Sequence, residues 1–343
     1  MKVRNSFKSL LAAFALAVAP ACVVYAADVT LLKVHHFLPP GSTAQTKLIE
    51  PWCAKINKES GGRLKCQIYP AMQLGGTPPQ LFDQVKDGVA DVVWTMPSYQ
   101  PGRFLVTEAF ELPFITSDAV KASRALWEYA TKYAQNEYKG VKPLAFHVHD
   151  GSHLHTAGKQ IKTMADFKGL KLRAPTREAA KLLVALGAMP VQMPMGQVPD
   201  GLAKGVIDGA LLPWEVVPAL KIQEVVQYHS ETPPGTPTLS NYVYMLAMNP
   251  AKYNSLPADL KKVVDGNSGA ELSAFAGKVW DEAREPARKT AVDHKNTFYV
   301  IPVQEIKEWE KKAAPVTDAW VKDVTAKGYD GKKLLEEARR LQQ

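Results

Sequence analysis

The chain has 343 residues, of which 46% are hydrophobic and 22% charged, a balance that can build buried cores and excludes a disordered chain. Lysines and arginines outnumber aspartates and glutamates by 42 to 34. They are scattered among acids, with no basic stripe interleaved by aromatics, so nucleic acid is excluded as the expected partner.

The N-terminus opens with Lys2, Arg4 and Lys8, followed by an uncharged, alanine-rich run over 9–26. Pro20 breaks the run, and Val24-Tyr25-Ala26 places small residues where a signal peptidase reads. A cleaved secretory signal over 1–26 is therefore expected in preference to a retained anchor. Cys22 lacks the leucine of a lipobox, which argues against lipidation. No later segment reads as a membrane span, so the mature chain is expected to be exported and soluble. About 300 residues is where one core usually divides, and two domains are expected.

Strands and helices then alternate. Residues 29–35 read as a strand, and Ser42 caps a helix to Lys58 with Leu48, Ile49, Trp52 and Ile56 on one face. Leu64, Cys66 and Ile68 alternate in the next strand. Cys53 and Cys66 flank Gly61-Gly62 and are either bridged, as an oxidising compartment allows, or two buried thiols. Thr77-Pro78 starts a helix that ends at Gly88, and 90–96 form a short apolar strand of the buried parallel kind. Residues 141–148 are a further strand leading towards a second half.

Thr163 caps a short helix through Asp166, and Gly169 ends it. A brief strand then delivers Arg173 to its far end, where Ala174-Pro175 stops pairing and Thr176 caps the next helix, which Gly187 stops. Strands follow over 207–212 and 242–248. Residues 256–295 read as one long helix kinked at Pro286, and charged amphipathic helices close the chain over 303–343. Gly88-Val89-Ala90-Asp91 and Gly205-Val206-Ile207-Asp208 each end a helix and enter a strand, a short echo that fits two lobes on similar plans.

Arg173 is the best handle on function. Ligands of open α/β sheets sit at the carboxyl ends of strands, and a guanidinium there is a fixed fork of donors suited to a carboxylate. Enzyme signatures are missing: there is no Gly-x-Ser-x-Gly, Gly-x-Gly-x-x-Gly, phosphate loop or His-Glu-x-x-His. Neither catalysis nor a cofactor is expected. His147, His149, His153 and His155 alternate, but no carboxylate or thiol cluster accompanies them. Solvent-facing strand positions are the plainer reading, and no metal is expected.

Gln73-Leu74-Gly75-Gly76, Gly88-Val89-Ala90-Asp91, Leu112-Pro113-Phe114, Asp166-Phe167-Lys168-Gly169-Leu170-Lys171-Leu172-Arg173 and Gly205-Val206-Ile207-Asp208-Gly209 occur in this order. In them the mature chain resembles, over nearly its whole length, the periplasmic solute-binding proteins of TRAP transporters, the dicarboxylate-binding, DctP-like type. The resemblance implies an α/β fold: a two-lobe periplasmic-binding-protein clamshell with a long helix spanning both lobes. On that plan 27–150 plus about 239–278 form lobe I, and 151–238 plus about 279–343 form lobe II. It further implies a periplasmic protein that buries a small carboxylic acid between its lobes on Arg173. The loaded protein would deliver to the small and large integral-membrane subunits of a TRAP permease, with no ATP site of its own.

The chain departs from the family pattern around that arginine. A second arginine of the family falls on His153, an asparagine on Leu212, an aromatic near Met195, and a glutamate on Gln197. Each change brings a softer or more apolar group. Trp214 follows Leu212; Trp94, Met96 and Tyr99 cluster at a strand end of the first lobe; His36 and Phe37 occupy its first strand-to-helix loop. Phe37, Trp94, Met195 and Trp214 are expected as walls, with His36 and His153 bonding a hydroxyl or keto oxygen. One arginine among rings predicts an aromatic or otherwise apolar monocarboxylate. The alternatives are a C4-dicarboxylate, a 2-oxo acid, or a periplasmic sensory binding protein.

Overall fold

The computed structural model describes residues 28–343; the expected signal segment, its cleavage near Ala26 and Cys22 lie outside the described residues. In chain order the strands are β1 (Thr30–His36), β2 (Leu64–Tyr69), β3 (Val92–Thr95), β4 (Lys142–His147), β5 (His153–Thr156) and β6 (Lys171–Ala174). They continue as β7 (Met189–Gln192), β8 (Gly209–Leu212), β9 (Tyr228–Glu231), β10 (Tyr244–Met248) and β11 (Thr297–Val300). Two mixed sheets result, a five-stranded one of order β2-β1-β3-β10-β4 and a six-stranded one of order β11-β9-β5-β8-β6-β7.

In each sheet one strand opposes its neighbours. β10 is antiparallel to β3 and β4, and β5 is antiparallel to β8 and β9. These are the strands the chain enters on its first two direct crossings between the sheets; a third passage, through helices, adds β11 parallel to β9. A chain that leaves one sheet at a carboxyl end enters the second at the end facing it, so its first strand must run backwards. The carboxyl ends of the remaining strands in both sheets therefore face each other. The two crossings run side by side: His149 N donates to Asn241 Oδ1 (3.0 Å), Asn241 Nδ2 to His149 O (2.8 Å), and Ser152 N to Ser240 O (3.0 Å). Gly151, at φ +96°, sits so tightly in this pair that a Cβ would collide with Thr238.

The echo in the sequence has one structural meaning in both sheets. Asp91 N donates to Lys33 O and its Oδ2 accepts from Lys33 N (2.8 Å). Asp208 N donates to Lys171 O and its Oδ2 accepts from Lys171 N (2.7 Å). Each aspartate thus staples the start of one parallel strand to its neighbour, β3 to the middle of β1 and β8 to the start of β6.

The helix expected over 256–295 is two helices, Ala258–Gly266 and Ala270–Asp293. The sequence signal for a break was Gly269, which takes φ +94° and donates its N–H to Leu144 O (2.7 Å). Asn267 adds to the interruption, its side chain bonding Val263 O while its carbonyl accepts from Trp52 Nε1 (2.9 Å). Pro286 lies inside the second helix. That helix packs on the helix Ala119–Tyr133 and β4 beside the first sheet, and on the turn Val216–Ala219 of the second. The closing helix Gly331–Arg340, within the range expected for lobe II, packs on Ala119–Tyr133, where Tyr133 donates its hydroxyl to Glu337 (2.9 Å). Cys53 and Cys66 form a disulfide that ties the helix Glu50–Glu59 to β2 at the edge of the first sheet.

Candidate functional site

On the first sheet's side, Phe37 follows the end of β1 and Trp94 lies next to the last residue of β3. The Phe37 ring stacks on Trp94 (5.0 Å between centroids) and meets Tyr99 edge-on (5.5 Å). Trp94 is fully buried, and Tyr244, His147 and Trp280 enclose it further. Its indole N–H donates to His147 Nε2 (2.9 Å). Met96 is buried beside this stack at the start of the turn that carries Tyr99. His36 bonds Gln45 Oε1 through Nε2 (3.0 Å), while its buried Nδ1 has no partner in the protein. Burial lowers the His36 pKa to about 4, so the ring is neutral near pH 7.

On the second sheet's side, register sets which side chains share a face. Arg173 and His155 both pair with Ala210, and His153 pairs with Leu212. Since alternate residues project alike, Arg173, His153, His155 and Leu212 project from one face. Arg173 is completely buried. Its Nε donates to Met193 O (3.1 Å) and its Nη1 to Leu211 O (3.2 Å), while Nη2 has no partner in the protein. Two carbonyls therefore orient the fork and leave one nitrogen unengaged.

Several contacts join the two sides. Met195 N donates to Tyr99 Oη (3.1 Å). Burial raises the Tyr99 hydroxyl pKa, opposed by the positive charge of Arg173 nearby. Farther out, Arg177 Nη2 reaches Glu108 Oε2 (2.6 Å) and Nη1 reaches Asp323 Oδ2 (2.8 Å).

Trp214 is also fully buried, with its polar atom satisfied. Nε1 donates to Glu231 Oε1 (3.0 Å), a carboxylate that Arg288 grips through Nε and Nη2. Rings of His155, His229 and Phe298 surround it, and His153 lies 6.0 Å from it.

The sequence reading missed most of the crossing segment between β4 and β5. The four strand histidines do not face solvent: His147, His149, His153 and His155 are all at most 1% exposed. His147 accepts from Trp94, and His155 bonds His229 (2.7 Å), so these two are structural. His149 Nδ1 accepts from Gly151 N (2.9 Å), which puts the ring hydrogen on Nε2, and that atom has no partner. His153 has no partner at either nitrogen, nor has Ser152 at Oγ or Asp150 at either carboxylate oxygen. Burial pushes the Asp150 carboxyl up to about 8, against the pull of the Arg284 charge. It also holds His149 and His153 well below the ordinary histidine range, with the Arg173 charge adding to this at His149 and that of Arg284 at His153. A buried polar atom without a partner is uncommon, and a run of them within five residues makes this segment a candidate for ligand contact. Among the described residues no three histidine, cysteine or acidic side chains converge as a metal site would require.

The model of the bacterial extracellular solute-binding proteins, family 7, matches residues 34–323. The fold superposes with a TM-score of 0.90 on a TRAP solute-binding protein from Rhodoferax ferrireducens in complex with copurified benzoate, at 49% identity over 92% of this chain and 98% of that one. It matches equally, at 0.90 and 42% identity over the same shares, a marine metagenome TRAP solute-binding protein specific for aromatic acid ligands, in complex with 3-hydroxybenzoate. The C4-dicarboxylate-binding periplasmic protein DctP of Rhodobacter capsulatus is 26% identical, covering 95% of this chain and 96% of its own.

Proposed function

We infer that this chain, which belongs to the bacterial extracellular solute-binding proteins of family 7, is the substrate-binding subunit of a TRAP-type transporter and captures an aromatic monocarboxylate between its two sheets. It is a binding protein and not an enzyme. The observation that carries the ligand class is Arg173, completely buried, held by two carbonyls, and left with one unengaged nitrogen. A carboxylate supplies the charge and the acceptors such a group lacks, and leaving the pair half made is costly, so the acid is both anchor and closing signal. Phe37, Tyr99, Met195 and Leu212 are assigned as walls, with Trp94 and Trp214 behind them and Met96 beside them; His153 and His36 are assigned to polar groups on the ligand.

The bound aromatic acids of the relatives at 49% and 42% identity favour the same class here. A C4-dicarboxylate would bring a second negative charge towards His153, which burial keeps neutral. We assign 27–150 with about 239–278 to one lobe and 151–238 with about 279–343 to the other, moving about the paired crossings and the long helix. Export to the periplasm, cleavage near Ala26 and docking on small and large permease subunits complete the proposal.

A thermal-shift panel tests it. At about a hundred times its dissociation constant a ligand stabilises the folded state by about 2.7 kcal/mol, a shift of several degrees. Benzoate-like and mandelate-like acids should give that shift while succinate and malate do not. A shift with succinate or malate alone would overturn the ligand class and keep the family.

A further inference from the structure

We propose that the acid held here carries a ring hydroxyl as well as its carboxylate, and that His149 shares the carboxylate with Arg173 while His153 reads the hydroxyl. This rests on the reading of the site as an aromatic-acid pocket and adds the polar groups that the ligand must have.

The reasoning is a match of donors to acceptors. A carboxylate only accepts. Arg173 Nη2 and His149 Nε2 are both pure donors without a partner in the protein, the second because Gly151 N already occupies Nδ1. The two lie in one neighbourhood: Tyr242 is 4.8 Å from the His149 ring, and its hydroxyl feels the Arg173 charge, as His149 does. Two unpartnered donors suit the two oxygens of one carboxylate.

His153 poses a different demand. A neutral imidazole has one donor and one acceptor, and neither nitrogen is engaged. Its acceptor nitrogen cannot be satisfied by any carboxylate oxygen. Benzoate has no hydrogen to donate, so it would leave this buried acceptor unpaired, a loss of affinity that a ligand hydroxyl avoids. A phenolic hydroxyl both donates and accepts, which suits His153. The sequence reading expected His153 to bond a hydroxyl or keto oxygen; the fold adds that both its ring nitrogens are buried without a partner and that a second donor, His149, lies four residues earlier.

The experiment is calorimetric titration of the purified protein with benzoate and with 2-, 3- and 4-hydroxybenzoate, repeated on His153→Phe and His153→Gln. At least one hydroxybenzoate should bind about tenfold or more tightly than benzoate, the worth of one net hydrogen bond in a buried site. His153→Phe should erase that gap, and His153→Gln, which keeps a donor and an acceptor, should retain part of it. His149→Phe should weaken all four acids together. If benzoate binds as well as every hydroxybenzoate, the inference fails and the aromatic-acid reading stands. A gap that survives in His153→Phe would sink the role of His153. If no benzoate of any kind binds, the functional reading itself falls, and this inference with it. Far-ultraviolet circular dichroism and melting of each variant separate a lost contact from a lost fold, with His153→Gln deciding the case if His153→Phe does not fold.

Discussion

On the first sheet's side of the site Trp94 is enclosed by Phe37, His147, Tyr244 and Trp280 and gives its indole hydrogen to His147. On the other side Arg173, His149, Ser152 and His153 are just as buried, yet each has at least one polar atom that no protein group engages. Burial alone does not distinguish a wall from a contact; the state of the polar atoms does. Trp94 and Trp214 both read from the sequence as candidate ligand contacts, and in the fold both have their N–H committed to a neighbour within the protein. On the proposed reading they shape the space, and the polar residues with unengaged atoms recognise what enters it. Substitutions on the two sides should therefore fail differently: one in stability, the other in affinity.

The largest expected effect is at the anchor. Arg173→Ala should abolish acid binding, a loss of about 3–5 kcal/mol or more than a hundredfold in affinity, with the fold retained by circular dichroism. Titration with a benzoate-type acid checks it, and normal binding by that variant would reassign the site. Trp94→Ala should show the reverse pattern. Removing a fully buried indole from an aromatic stack costs about 3–5 kcal/mol of stability, read as a lower denaturation midpoint, while selectivity between aromatic acids and succinate persists in whatever folded protein remains. A variant that keeps its stability but loses selectivity would move Trp94 from wall to contact.

The disulfide sharpens the contrast at a distance from the ligand. Closing a loop of this size contributes about 3 kcal/mol in the chain-entropy account, so Cys53→Ser with Cys66→Ser should lower Tm by several degrees and leave affinity unchanged. A change in affinity would mean that the edge of the first sheet couples to the site.

pH gives the smallest effect. Burial raises Glu111 to about 8, as it does Asp150, and Glu137 to about 7. The folded protein keeps these carboxyls protonated where the unfolded chain has released its protons. Their stabilisation is complete below the ordinary carboxylate range and is lost as pH rises through about 7 to 8. Buried histidines act in the opposite sense: His147 is lowered to about 3 by burial, so its contribution is complete above about 6.5 and lost as pH falls. Between pH 6.5 and 8.5 the carboxyls dominate and Tm should fall. Glu111→Gln should flatten that decline, and an unchanged slope would show that Glu111 is ionised in the fold.

Much of the architecture was legible because local chemistry announces it. Gly-Leu-Lys-Leu-Arg-Ala-Pro marks a strand end by its own turn residues, and Arg173 lies there. The two Gly-x-x-Asp elements are a matched pair of staples, which four residues could suggest and only register could explain. The four-residue strands β7, β9 and β11 offered too little alternation to detect. Gly269 was overlooked because a single glycine within helical periodicity is often tolerated, and its role as a break depends on Leu144, more than a hundred residues away. His149 could not be assigned from sequence: its importance comes from Gly151 occupying Nδ1 and leaving Nε2, a fact of geometry.

The most direct measurement is a crystal structure of the protein grown with benzoate or a hydroxybenzoate. The account predicts the carboxylate within hydrogen-bond reach of Arg173 Nη2, with the ring among Phe37, Tyr99, Met195 and Leu212. A carboxylate seated elsewhere, with Arg173 Nη2 still unengaged, would contradict it.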